Sequence, residues 1–260
     1  MTYLYWENFF QQWKAGAKAI NGWTDPDSLP LPLYNSDNKD LSSLYVPEPW
    51  WGNDGSSPLH SVVINLNPGA GEDPQTINSI NAHNFQSYAA LVNSCYLPKT
   101  IAWHLGYRVE PILNALNRGG YISKKDISLK SHLSIELIPW HTQSADTTYL
   151  KYCRQNLNNI FDCSIRFAAD QSRRIANTKL KNTVIIKVSA NRMTALLKDF
   201  KSIEQDSSTL DPCTAPSQNG YYMIFCFNSI PDIKFVCVWG KHSRNKFPDS
   251  ADLDWIISKI

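Results

Sequence analysis

Residues 60–71 limit what this 260-residue chain can fold into more than any other segment. A short apolar run ends there abruptly at Asn67-Pro68-Gly69. A run of this length and composition predicts a buried strand. Pro68 fixes its own φ and biases Asn67 toward an extended backbone, while glycine tolerates a positive φ and lets a backbone approach a ligand closely. The segment therefore predicts a strand that opens into a tight loop suited to holding a ligand.

Apolar runs of strand length alternate with longer helical patterns along the chain. The predicted strands are 60–66, 133–138, 183–188, 221–227 and 233–239. The predicted helices are 3–20, 75–95, 110–117, 147–168, 191–200 and 253–260, the third of which should stop at Gly119-Gly120. This alternation favours a mostly parallel sheet with helices on both faces, and the final hairpin makes the sheet mixed. The predicted fold class is α/β, as a three-layer α/β/α sandwich.

The first 58 residues differ in composition from the rest of the chain. Beyond their predicted helix they are rich in Pro, Asp, Ser and Asn and show no clear period, although 46–52 is too aromatic for a disordered linker. We therefore predict that 1–58 forms an N-terminal helix and irregular extension packed on the core. Residues 59–260 then form one α/β domain.

Charge alone does not indicate a partner, because the formal net charge is only +2. The charge is uneven, however, since 164–187 holds six basic residues against Asp170 alone. Two interpretations stay open for this stretch. It forms a basic face that attracts phosphates, or it is an ordinary solvated helix and loop.

The cysteines and the apolar runs bear on cofactors and on the cellular setting. The six cysteines form no CxxC or CxxxC pair, which argues against a zinc site, an iron–sulfur site and a disulfide scaffold. No cofactor is therefore expected. No stretch approaches the length needed to cross a bilayer, and the N-terminus lacks the pattern of a signal peptide. We expect a reducing, cytoplasmic setting and no membrane partner.

Polar clusters follow three of the predicted strands. They are Asn67-Pro68-Gly69 after the first, Trp140-His141-Thr142 after the second and Lys241-His242-Ser243-Arg244-Asn245 after the last. If these three strands are parallel neighbours, the clusters meet in one crevice beyond their carboxyl ends, where ligands bind in open α/β sheets. Histidine is the commonest acid/base side chain, but a lone histidine at a strand end is usually structural or solvated.

The motifs at the first and last of these strands resemble those of the uracil-DNA glycosylase superfamily. Ile64-Asn65-Leu66-Asn67-Pro68-Gly69 resembles the first motif of the mismatch-specific branch, and Gly71-Glu72-Asp73 is similar to the Glu-Asp pair of the thermostable branch. The stretch 238–244 stands where the superfamily has a His-Pro-Ser run before a C-terminal helix. The resemblance covers roughly residues 58–260 and implies a glycosylase-like, three-layer α/β domain.

The resemblance also implies a reaction, a partner and a set of site residues. The reaction is hydrolysis of the N-glycosidic bond of a base flipped out of DNA. The implied catalytic residues are Asn67, which would orient the attacking water, and His242, which would stabilise the departing base. The implied substrate-binding residues are Pro68, Gly69, the stacking candidates Phe85 and Tyr88, Glu136, His141, Ser243 and Arg244.

Two departures from the family pattern keep other functions open. No proline separates His242 from Ser243, and Glu136 stands where the family reads uracil with an asparagine. An ionised carboxylate only accepts hydrogen bonds, and Glu136 is otherwise explained as a solvent-facing or arginine-paired carboxylate. The alternatives are a non-catalytic protein that keeps the fold and binds nucleic acid or a nucleotide, and a small-molecule hydrolase.

Overall fold

Seven strands form one mixed sheet in this computed structural model. It describes residues 2–15, 19–20, 23–24, 48–66, 84–96, 110–139, 158–187, 213–240 and 248–260. A separate antiparallel pair is formed by β1 (Ala19–Ile20) and β2 (Trp23–Thr24). The strands of the sheet are β3 (Trp50–Gly52), β4 (Ser61–Asn65), β5 (His132–Glu136), β6 (Thr183–Lys187), β7 (Cys213–Thr214), β8 (Gly220–Phe227) and β9 (Ile230–Gly240).

The described part of the chain also contains five α-helices. They are α1 (Tyr3–Lys14), α2 (Tyr88–Leu91), α3 (Glu110–Arg118), α4 (Asn158–Ser172) and α5 (Ser250–Ile257). Together with the mixed sheet they confirm the predicted α/β class. The predicted helix 191–200 and the start of the predicted helix 147–168 lie outside the described residues. Within the described ranges, no helix has both the length and the apolar character that a membrane span requires.

Four parallel strands form the centre of the sheet, whose order is β3-β5-β4-β6-β9-β8-β7. β4 pairs in parallel with both β5 and β6, and β6 pairs in parallel with β9. The outer strands are antiparallel to their neighbours: β3 pairs with β5, β8 pairs with β9, and β7 pairs with β8. The four parallel strands therefore all end at one edge of the sheet, which we call the carboxyl edge.

The expectation that the first, second and fifth predicted strands are neighbours is wrong in one respect. β4 and β5 are adjacent, but β6 separates β4 from β9. The reason is that β6 is a nearly continuous apolar run, with Val184, Ile185 and Ile186 all buried. Such a run is suited to a central position, covered on both faces and bordered by strands on both sides.

The described parts of residues 1–58 share the core and the sheet of the remaining chain. In α1, Trp6, Phe9, Phe10 and Trp13 are buried, and their spacing places them on one helical face. Trp6 packs edge-to-face on Phe167 of α4 with ring centres 6.1 Å apart, and Tyr3 does so at 5.2 Å. The aromatic composition of this segment is thus explained by core packing.

Two glycines end α3 as predicted. Gly120 adopts a φ of 72°, in the left-handed region that favours glycine, and Tyr121 N donates to Leu116 O at 2.8 Å. The chain turns there and leads back toward the start of β5.

Several cations in 164–187 are matched by nearby carboxylates. Arg166 pairs with Asp162 at 2.8 Å, and Arg173 pairs with both Asp170 and Asp232, at 2.6 and 2.8 Å. These arginines belong to a surface of mixed charge. The structure therefore favours the solvated-surface interpretation for the helical part of this stretch.

A buried polar pair lies inside the sheet where hydrophobic contacts would be expected. Ser61 Oγ of β4 and His132 Nδ1 of β5 share a hydrogen bond of 2.8 Å, and the His132 ring packs edge-to-face on Trp51. His132 is 0% exposed. Burial lowers the pKa of His132 from its usual value of 6.5 to about 3.

This histidine should make the protein lose stability in mild acid. Between pH 6.5 and about 3 the unfolded chain binds a proton at His132 that the folded chain does not, so the free energy of unfolding falls as pH falls. The contribution is at most about 1.4 kcal/mol per pH unit. Urea unfolding of the double variant Ser61→Ala/His132→Leu should show a correspondingly flatter dependence between pH 7 and pH 4.5. An unchanged slope in the double variant would contradict the assignment.

Candidate functional site at the carboxyl edge

The ends of three parallel strands lie side by side at the carboxyl edge. Asn65, the last residue of β4, is in register with Glu136 of β5 on one side and with Lys187 of β6 on the other. β9 ends at the same edge with Gly240. Open α/β sheets bind ligands beyond this edge, where the loops diverge.

A cluster of buried polar side chains occupies this end of β4 and β5. Asn65 Nδ2 donates to Ser134 Oγ at 2.6 Å and to Glu136 Oε1 at 3.3 Å. Exposure is 5% for Asn65 and 0% for both Ser134 and Glu136. Burying a carboxyl group is costly unless it is hydrogen-bonded, so the amide of Asn65 is a structural requirement of this cluster. The Glu136 side chain is therefore not solvent-facing.

The carbonyl oxygen of the Asn65 side chain points away from these partners. Asn65 Oδ1 is buried and accepts no hydrogen bond from the residues that the structure describes. A buried acceptor without a donor costs about 1–3 kcal/mol. The cluster therefore has one acceptor available for a donor supplied from outside it.

A second buried carboxyl group lies at the same end of β5. Glu48 is 1% exposed, its backbone N–H donates to Pro139 O at 2.8 Å, and Glu136 N donates to Pro49 O at 3.1 Å. Burial raises the pKa of Tyr88, and the charges of Glu48 and Glu136 raise it further. Both carboxyl groups are thus close enough to act on one phenol.

Of the site residues predicted from the sequence, three are described. Glu136 lies in the buried cluster. Tyr88 is 1% exposed, with its hydroxyl donating to Trp50 O at 2.8 Å and its ring 5.2 Å from that of Trp50. Phe85 is half-buried against the core, and its carbonyl accepts from Lys14 Nζ at 2.6 Å. Of the two stacking candidates, only Phe85 is partly exposed, and stacking by Tyr88 would require it to leave the core.

The other predicted site residues lie outside the described residues. They are Asn67, Pro68, Gly69, His141, His242, Ser243 and Arg244. The strands that precede them, β4, β5 and β9, all end at the carboxyl edge. The location of these residues beyond the strand ends and the roles assigned to them stay predictions.

Sequence reasoning missed the supporting residues of the cluster. Asn65 belongs to the motif that ends the first predicted strand, where its type and position indicate only a strand residue, and Ser134 carries no functional signal of its own. Glu48 lies at this end of the sheet because β3 pairs with β5, and the paired residues of these two strands are more than 80 residues apart in the sequence. Its position between Pro47 and Pro49 was the one local hint.

Comparison with known protein families, curated proteins and solved structures finds no match for this chain. The geometry of the carboxyl edge and the motifs that follow its strands are the features that bear on function.

Placing a second carboxyl group beside Glu136 should destabilise the fold. In Asn65→Asp the new group lies within hydrogen-bond distance of a buried carboxyl, which should cost on the order of 3 kcal/mol at pH 7. Because one carboxyl group must then stay protonated, its pKa is raised and the loss should shrink as pH falls toward about 4. Chemical denaturation at several pH values measures this.

Asn93→Asp is a matched control for that experiment. Asn93 Nδ2 donates to Asp54 Oδ2 at 3.1 Å, so the substitution also places two carboxyl groups together, but on the surface. The expected loss is under about 1 kcal/mol because water screens the pair. Equal losses in the two variants would show that the Asn65 cluster is not a desolvated site.

Proposed function

We propose that this chain hydrolyses the N-glycosidic bond of a base extruded from nucleic acid, as a protein of the uracil-DNA glycosylase type. The observation that carries the proposal is the buried Asn65–Ser134–Glu136 cluster at the carboxyl edge, two residues before Asn67. A cytoplasmic setting belongs to the same proposal.

The chemistry of the reaction fits the residue types at this edge. Water adds to C1′ of the sugar while the C1′–N bond breaks, and the base leaves with the bonding electrons and takes up a proton. An amide at Asn67 can orient the water but cannot remove its proton, so its contribution is positioning. Hydrogen-bond donors that follow β9, among them His242, would stabilise the negative charge of the departing base.

The packing of helices on the sheet supports the three-layer arrangement that the proposal includes. Register places Trp50 and Ile135 on one face of the sheet, where Tyr3 links Trp50 to Phe167 of α4 through ring contacts of 5.0 and 5.2 Å. Tyr222 of β8 contacts Trp255 of α5 at 5.8 Å. The pairing of β8 with β9 and of β9 with β6 assigns Tyr222 to the opposite face.

The cluster favours bases that present hydrogen-bond donors. Asn65 Oδ1 is an acceptor, and an ionised Glu136 accepts only. Carboxylates recognise the amino group of cytosine in the same way in DNA complexes. We therefore expect a base with an amino group or adjacent N–H groups to be preferred over uracil, whose carbonyl oxygens flank its single N–H.

A second candidate is a protein that binds nucleic acid without cleaving it. Tyr221 and Trp239 stack at 5.7 Å with an interplanar angle of 12°, and both are half-buried near the end of β9. Aromatic rings of this kind hold single-stranded bases without any chemistry. The two functions differ in whether free base is released.

The proposal is tested by incubating the protein with oligonucleotides that contain uracil, hypoxanthine or mismatched bases. Free base should be released, and Asn67→Ala should reduce release by about a hundredfold or more while binding changes little, because a water-positioning group acts on the chemical step. Chromatography of released base and fluorescence anisotropy of the labelled strand measure the two quantities. Salt-sensitive binding without release by the wild type would favour the second candidate.

Base preference is tested with Glu136→Gln. The amide of the variant can donate as well as accept, so its preference for bases with an amino group is weakened. The activity on such a base divided by the activity on uracil, or the same ratio of affinities, should fall at least about tenfold. The exposed Glu110, changed to Gln, should leave the ratio unchanged. Thermal unfolding of each variant checks that the fold is intact. A constant ratio in Glu136→Gln would remove Glu136 from base recognition.

A further inference from the structure

A groove of about 510 Å³ lies at the opposite edge of the sheet, where the parallel strands begin. One wall is His60, directly before β4, and another is Ala176-Asn177, between α4 and β6. The rest is formed by the segment after α3, with Tyr121, Ile122, Ser123 and Asp126 among its residues. The volume is in the range of small-molecule sites, which is about 300–1,000 Å³.

Lysines flank the lining residues of this groove in the sequence. The segments 120–131 and 176–182 hold Lys124, Lys125, Lys130, Lys179 and Lys181, and Asp126 is the single carboxylate in them. The backbone of two of these lysines is bonded to a lining residue: Lys181 N donates to Asn177 O at 2.9 Å, and Lys179 N donates to Asn177 Oδ1 at 2.8 Å. Lys179 Nζ lies 5.3 Å from the centre of the Tyr121 ring.

These lysines differ from three arginines elsewhere on the surface. Arg118, Arg166 and Arg173 each have a carboxylate within 2.8 Å. None of the five lysines forms an ion pair with any residue that the structure describes. Asp126 is the one carboxylate in these two segments that offsets their positive charge, and the remaining positive potential attracts polyanions.

The walls of the groove supply groups of a different kind. Tyr121 is half-buried, and its hydroxyl donates to Ile257 O at 3.1 Å, which fixes the ring. Asp126 is held by Ser123 Oγ at 2.5 Å. The ring of His60 makes no hydrogen bond within the described part of the chain. A fixed aromatic ring, a carboxylate and an imidazole are suited to a planar base and a sugar with hydroxyl groups.

We propose that this groove binds a nucleoside polyphosphate. The base packs against the Tyr121 ring, the ribose hydroxyls donate to the Asp126 carboxylate, and the phosphates contact the surrounding lysines. Asp126 alone would repel phosphate, so its place in the wall suits the sugar, as carboxylates do in dinucleotide sites. The groove is at the other edge of the sheet from the base-release site, and the inference does not depend on that activity.

Calorimetric titration of the full chain with ATP at low salt tests the proposal. ATP should bind at least about tenfold more tightly than adenosine or tripolyphosphate, because only ATP uses both the ring and the lysines. Lys181→Glu should weaken ATP binding about tenfold, whereas Arg166→Glu, the same charge change outside the groove, should weaken it less than about twofold.

The ring is tested separately. Tyr121→Leu should reduce ATP affinity toward that of tripolyphosphate, and Tyr121→Phe, which keeps the ring, should retain most of it; thermal unfolding confirms that both variants fold.

Equal affinities for ATP and tripolyphosphate would overturn the proposal in favour of a general polyanion surface. Binding of a short oligonucleotide but not of ATP, or equal losses in Lys181→Glu and Arg166→Glu, would overturn it as well. Base release is measured on the same samples, so the two proposals succeed or fail independently.

Discussion

The parallel pairing of β4 with β5 is the constraint on which the candidate site depends. It brings Asn65 next to Glu136 and orients both side chains to the same face of the sheet. A slip of one residue would turn one of them to the other face, because side chains alternate along a strand. The carboxyl group would then lose the Asn65 amide and be buried without that donor. The fold and the chemistry at this edge are therefore set by the same register.

The class of the fold could be predicted from the sequence, but the order of its strands could not. Apolar runs near 61–65 and 183–187 have the length and composition of buried strands, and the glycines after Arg118 specify where α3 ends. Nothing in an apolar run encodes which other run it borders. The order of the strands depends on which of them can be covered on both faces, and β6 accordingly lies between β4 and β9.

The candidate site could be predicted only where local sequence carried its chemistry. Glu136 can be predicted because it ends a strand and stands where the motif it resembles has an asparagine. Glu48 belongs to the same end of the sheet through the antiparallel pairing of β3, which sequence spacing does not show. Tyr88 has the residue type expected for base stacking, yet its ring belongs to the core. Residue type alone does not distinguish an aromatic ring that packs internally from one that meets a ligand.

The two edges of the sheet differ in charge, and this difference restricts how a nucleic acid could approach. Under the proposed function, the buried carboxyl groups of Glu48 and Glu136 disfavour a phosphate at the carboxyl edge, whereas a neutral base with N–H groups would supply hydrogen-bond donors to it. The phosphates of such a substrate must be neutralised by cations outside the cluster. The segment 241–247, which contains three basic residues and no carboxylate before Asp249, follows β9 at this edge. Base recognition and backbone binding would then belong to different strands of one sheet, so weakening one should leave the other measurable.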